Sequence, residues 1–247
     1  MEPPTEETSR PGLDRLSLLA PAFVNELLVP ALSLEPGLTV RAISTPSCLV
    51  RRYVEAASGA AAFDAAVLVG EGAEVPTSWS CTHVEEVAYG LFTSPRVALS
   101  LGPTPSADDV RDLRFVAPVH VAPSGEIVRV DDRCPLGRED RWVTHEVADL
   151  RLALRIASET DRLVYAPSVA AAASVRDGSL VEVPVEGWSR TAPVQLSFRC
   201  ERGRSRFEAV LTEALRCALG RAVSTSSVVR AATRRPGTGK RRRSGTR

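Results

Sequence analysis

From Leu13 onward the chain alternates short apolar runs with stretches of helical spacing, and that alternation restricts the fold more than any other feature. Strands that take turns with helices close into a parallel sheet with helices on both faces. Leu13–Leu19 reads as the first strand, ending at Ala20-Pro21. Phe23, Leu27, Leu28, Ala31 and Leu32 predict a helix over Ala22–Ser33, which Pro30 either kinks or divides. After the turn at Glu35-Pro36-Gly37, Leu38–Ile43 alternates as a strand. Ser44, Thr45 and Ser47 then offer hydroxyl caps, and Pro46 a first-turn proline, to a second helix reaching about Ser58. Asp64–Val69 reads as a buried strand, Trp79–Leu91 as two edge-like strand pieces, and Arg96–Leu101 as a further strand.

A second unit follows. Arg114–Ala122 and Glu126–Val130 form a hairpin pattern around Pro123-Ser124-Gly125. Asp131–Asp140 is a charged loop. Thr144 is placed to cap a helix from His145 to about Ser158, with Val147, Leu150, Leu154 and Ala157 as its apolar stripe. Leu163–Ala166 reads as a strand, Ser168–Val175 as a small helix and Leu180–Val185 as a strand. Ala192–Cys200 reads as a last strand and Arg206–Ala222 as a last helix.

At 247 residues and 44% hydrophobic content, the chain can bury a large core without disulfides. Cys48, Cys81, Cys134, Cys200 and Cys217 are odd in number and scattered, which suits reduced thiols. No stretch reaches the roughly 20 apolar residues of a membrane helix. The start, MEPPTEETSRPG, is acidic and proline-rich, unlike a secretory signal. A cytoplasmic location and no membrane partner are therefore expected.

The net charge of +1 conceals an asymmetry. From Arg230 to the end there are 8 basic residues and no acid, which leaves 23 basic against 30 acidic residues before that point, a net of −7. An acidic body does not suit a mainly electrostatic nucleic-acid surface. The tail, with Arg234, Arg235, Lys240, Arg241, Arg242 and Arg243, is suited to sequence-independent contact with nucleic acid.

The chemistry-bearing residues are sparse. Cys81-x-His83 has no second ligand pair nearby, so no metal is expected. Asp131 and Asp132 lack a third acid or histidine at fixed spacing and read as caps of a turn or partners of nearby arginines. Cys134 stands beside Arg133, with Arg138 and Arg141 close in sequence; basic neighbours would lower its pKa, and packing in a structural loop would leave it inert. No Ser-His-Asp arrangement with a supporting local signature appears, so neither catalysis nor a cofactor is expected.

The blocks Leu27-Leu28-Val29-Pro30-Ala31-Leu32, Glu35-Pro36-Gly37-Leu38 and Phe63–Gly70 occur in a telling order with several later ones. These are Asp131–Leu136, His145-Glu146, Ala153-Leu154, Thr160–Pro167, Asp177–Val183 and Gly187-Trp188. Together they resemble the effector-binding half of LysR-type transcriptional regulators, across about Leu13–Ala222. The family's winged helix-turn-helix and linker helix find no counterpart here, so operator binding by the family's usual means is not expected.

The resemblance implies a type 2 periplasmic-binding-protein-like α/β fold, two Rossmann-like lobes joined by two crossover hinges. Lobe I would hold residues 13–93 and 192–222, and lobe II residues 94–191. Residues 1–12 would be a disordered arm and 223–247 a disordered basic tail. The hinges would fall at Ser94, Pro95, Thr191 and Pro193. Ligands of open α/β sheets sit at the carboxyl ends of strands, where helix starts favour anions. That places Ala20, Pro21, Ser44, Thr45, Ser47, Thr144, His145, Pro167 and Ser168 at an interlobe cleft. The ligand would be a small anionic or aromatic effector. A homodimer, or a mixed dimer with a full-length regulator, would carry its signal. The alternative is a solute-binding receptor of the same fold, acting away from DNA.

Overall fold

The computed structural model describes residues 14–57, 63–70, 75–199 and 207–220. The expected arm at 1–12, the tail at 223–247 with its cluster Arg234, Arg235, Lys240, Arg241, Arg242 and Arg243, and Cys200 lie outside the described residues.

Lobe I grows from β1 (Asp14–Ala20), which pairs in parallel with β2 (Leu38–Ser44) on one side and β3 (Ala65–Val69) on the other. All five residues of β3 are buried, as a strand covered on both faces requires. On one face α1 (Ala22–Leu32) sets Phe23, Val24, Leu28 and Leu32 against Leu16, Leu18 and Val67, where Leu211, Leu215 and Leu219 of a helix over 207–220 join them. On the other face Val50 of α2 (Val50–Ala56) packs with Leu19, Ala66, Leu68 and Trp79. A 3-10 turn at Ser47–Leu49 leads into α2, and Pro30 lies inside α1.

Trp79–Thr93 is one strand of 15 residues, β4, and not the two edge-like pieces that its sequence suggests. It lies inside the sheet, antiparallel to β10 (Arg190–Arg199) from Trp79 to Tyr89. The ladder shifts register between Val194 and Gln195, whose partners are Glu85 and His83. The extra residue, Val84, puts the alternation out of phase and makes one strand look like two.

Lobe II continues from β4. The segment expected to be a strand at Arg96–Leu101 is a helix, α3 (Pro95–Leu101), with Ser94 at its N-cap and proline in its first turn. Val97 is buried, Ala98 and Leu101 pack inward, and Leu99 is 84% exposed, a helical stripe in a short apolar run. Next comes α4 (Ala107–Arg111), begun by a Ser106–Asp109 capping box. The expected hairpin is present as β5 (Arg114–Val121) and β6 (Ile127–Arg129), with Gly125 at φ 85° in the turn.

His145 does not start a helix. Trp142–Val147 forms β7, parallel to β5, and the helix α5 (Leu150–Glu159) begins after it. Asp149 outcompetes Thr144 as the cap: its carboxylate accepts the Leu152 N–H at 3.1 Å, whereas the Thr144 hydroxyl donates to the Phe115 carbonyl at 3.3 Å. Then follow β8 (Arg162–Pro167), α6 (Ser168–Arg176) and β9 (Val181–Val183). The strand order is β2-β1-β3-β10-β4-β8-β5-β6, with β7 beside β5 and β9 beside β4.

The hinge at Ser94 and Pro95 needs correction. β4 passes from β10 to β8 at Tyr89, which faces both Arg190 and Pro167. Ser94 and Pro95 therefore lie beyond the crossing, at the start of α3. Thr191 and Pro193 lie on β10 opposite Ala88 and Glu86, just before Val194 joins β3.

Candidate functional site

A cleft of about 570 Å³ opens between the two groups of strands. One wall comes from the start of α1 (Pro21–Phe23), the segment Ser44–Leu49, Arg52 and Val69. The other comes from Pro118 and His120 of β5, the stretch Val128–Arg133, Ala148, Leu150 and Pro167. Tyr89 and Tyr165 also line it, their rings stacked with centroids 5.9 Å apart. The Val24 and Asn25 N–H groups both turn back to the Pro21 carbonyl, and α1 has no side-chain cap. The amides of Ala22 and Phe23 are thus the open donors of a helix start at the cleft wall.

Of the residues placed here from sequence, Pro21, Ser44, Thr45, Ser47 and Pro167 line the cleft. Ala20 lies beneath it, fully buried, its carbonyl accepting the Thr45 N–H at 2.9 Å. Ser168 stands behind Pro167 with its hydroxyl buried and no hydrogen-bond partner among the described residues. Neither Ser44 nor Ser47 caps a helix. Ser44 Oγ accepts from Asn25 Nδ2 at 3.1 Å, and Ser47 Oγ accepts the Val69 N–H at 2.6 Å, which leaves each hydroxyl proton available.

Thr144 and His145 do not belong to the cleft. As part of β7 they sit by Arg162, whose Nε donates to His145 Nδ1 at 3.0 Å. The helix start that would have carried them to the cleft lies beyond them, and Leu150 takes the place.

The sequence reading missed Arg133 as a cleft residue. Its backbone stands at φ 64°, the one non-glycine residue with positive φ among those described. Such a conformation costs on the order of 1–3 kcal/mol. Two Asx bonds shape the bend: Asp131 Oδ1 accepts the Arg133 N–H at 2.9 Å, and Asp132 Oδ1 accepts the Cys134 N–H at 3.2 Å. Arg141 Nη2 holds the Asp132 carboxylate at 2.6 Å, with both side chains almost wholly buried. From this bend the Arg133 guanidinium reaches the opposite wall. It lies 6.0 Å from the Tyr89 ring centroid and so close to Gly70 that a Cβ there would sit 1.5 Å from Nη2. Arg133 has no ion pair among the described residues. By contrast, Arg52 faces Glu126 at 3.8 Å and Arg129 faces Glu146 at 2.9 Å.

Burial pushes the Tyr89 hydroxyl up to about 12, with Arg133 pulling the other way. Tyr165 is raised as well, again mainly by burial. Burial lowers His120. The Cys134 thiol is pushed up to about 11 by burial, against the pull of Arg141, so packing prevails over the basic neighbours. Cys81 Sγ lies 3.4 Å from Gln195 Oε1 on the neighbouring strand. Among the described residues, three links tie the lobes beside the cleft. Tyr53 Oη donates to the Val121 carbonyl at 3.2 Å, Arg52 meets Glu126, and Arg151 meets Glu26 at 2.5 Å.

No family model and no curated protein matches the chain. Solved structures do. The reduced OxyR2 regulatory domain of Vibrio vulnificus has a TM-score of 0.65 at 15% identity, over 84% of this chain and 97% of that one. The effector domain of the transcriptional regulator AmpR of Pseudomonas aeruginosa has a TM-score of 0.57 at 17% identity, over 89% and 100%. A sulfate-bound variant of the OxyR2 domain has a TM-score of 0.63 at 14% identity, over 84% and 97%. The fold is that of the regulatory domains of LysR-type regulators, the type 2 periplasmic-binding-protein-like arrangement. No helix among the described residues is long and apolar enough to cross a membrane.

Proposed function

We propose that this chain is the effector-sensing part of a LysR-type transcriptional regulator. It binds a small anionic or aromatic metabolite between its lobes, without turnover. The observation that carries the reading is the cleft itself, walled by strand-to-helix turns of one lobe and by the loop and hairpin of the other. A ligand touching both walls favours the closed arrangement by its differential affinity alone. The closed form then alters contacts with a second subunit, either another copy or a full-length regulator. The fold supports this by analogy with the OxyR2 and AmpR domains. The cationic segment from Arg230 adds salt-dependent contact with nucleic acid.

A thermal-shift screen of small carboxylates and aromatic acids tests the reading. A ligand at 100 times its Kd adds about 2.7 kcal/mol of stability. Its footprint, mapped by amide NMR shifts, should cover Ser44–Ser47 and Asp131–Arg133. A footprint elsewhere would reject the interlobe site.

A further inference from the structure

We infer that Arg133 reads a carboxylate or sulfate group on the effector, at a subsite shared with Ser47 and the Val69–Gly70 backbone. The inference rests on the sensing role proposed above and narrows its ligand to small anions with an apolar body.

Four independent observations converge on this point. Arg133 lines the cleft and is half-buried there, yet it forms no ion pair among the described residues. The other cleft arginines are engaged, Arg52 with Glu126 and Arg129 with Glu146. Of the two acids beside it, Asp132 is bound by Arg141, and Asp131 accepts the Arg133 backbone N–H.

The second observation is its backbone. A left-handed φ of 64° on an arginine is kept where the surrounding structure holds it, here by two Asx bonds and a buried ion pair. The third is Gly70, at φ 104°, where only a missing side chain leaves room for the guanidinium. The fourth is the hydroxyl next door. Ser47 Oγ accepts the Val69 N–H at 2.6 Å, so its own proton is free to donate, one residue from where Arg133 rests. A planar fork of N–H donors and a hydroxyl at one spot suit an oxyanion, and Arg binds carboxylate with two parallel bonds. The remaining wall, with Pro21, Phe23, Leu49, Val69 and Pro118, suits an apolar body.

The experiment titrates the whole chain with sodium benzoate, neutral benzamide and sodium sulfate at matched ionic strength, read by amide NMR shifts and calorimetry. Benzoate and sulfate should give saturable shifts at Gly70 and Ser47, and benzamide should bind about tenfold more weakly than benzoate or worse. Arg133→Gln should weaken benzoate by about tenfold or more, whereas Arg155→Gln, at an exposed arginine paired with Glu159 outside the cleft, should change it less than about threefold. Arg133→Asn, which tolerates left-handed backbone better, should match or exceed the wild-type Tm while losing benzoate; a purely structural arginine would lower it. Equal affinity of Arg133→Gln and wild type overturns the inference. So does an absence of anion-induced shifts at Gly70 and Ser47. In that case a neutral screen hit mapping to the cleft leaves the sensing role standing, whereas a hit mapping outside the cleft removes both.

Discussion

A buried pair anchors the bend at Asp131–Cys134. The Asp132 carboxylate and Arg141 Nη2 are 2.6 Å apart, with side-chain exposures of 6% and 2%. The guanidinium also lies over the Phe115 ring, 5.3 Å from its centroid. Removing one partner leaves a buried charge unmatched, at a cost of about 3–5 kcal/mol. Arg141→Met should therefore lower the urea midpoint strongly, and adding Asp132→Leu should restore most of it. A double variant no better than the single one would mean that the pair is not the anchor. The sequence showed acids beside arginines in this loop, but not which arginine Asp132 would take. It also gave no sign that Arg133, the residue after the anchored Asp132, would cross the cleft. That depends on φ 64°, which is held by bonds within residues 131–141, and on Gly70, which lies far off in the chain and meets Arg133 only in the folded molecule.

At the scale of elements, what could be read depended on whether the local pattern agreed with the packing. β1, α1, β2, β3 and the β5–β6 hairpin each carry an uninterrupted period and turn residues, and their sequence boundaries hold to within a residue or two. Three segments do not. β4 hides a bulge at Val84, α3 packs a helical stripe into seven residues, and α5 has two candidate caps. The last case decides the site, because it moves Thr144 and His145 out of the cleft. Asp149→Ala should cost about 1 kcal/mol in thermal melts, and Thr144→Ala markedly less. The reverse order would put the start of α5 back at His145.

For the molecule as a whole, the expected two-lobed α/β arrangement is the fold that the solved regulatory domains share. The lobes face each other across a cleft and are linked beside it by Tyr53–Val121, Arg52–Glu126 and Arg151–Glu26. Exposed pairs of this kind contribute about 0–1 kcal/mol each. Tyr53→Phe combined with Glu126→Gln removes the two links to the β5–β6 hairpin. The ligand-free domain should then show a larger radius of gyration in X-ray scattering, while keeping its strand content. An unchanged profile would show that these links do not set the lobe angle.

Both passages of the chain between lobes run within one ladder, β4 against β10, with Tyr89 opposite Arg190. The joint is therefore a torsion bar and not a pair of slack tethers. Its hydrogen bonds give the molecule a preferred resting angle, and any rotation winds the two strands against that preference. On the sensing role proposed above, an occupant of the gap would act as a torque, and its departure would return the lobes without any further source of energy.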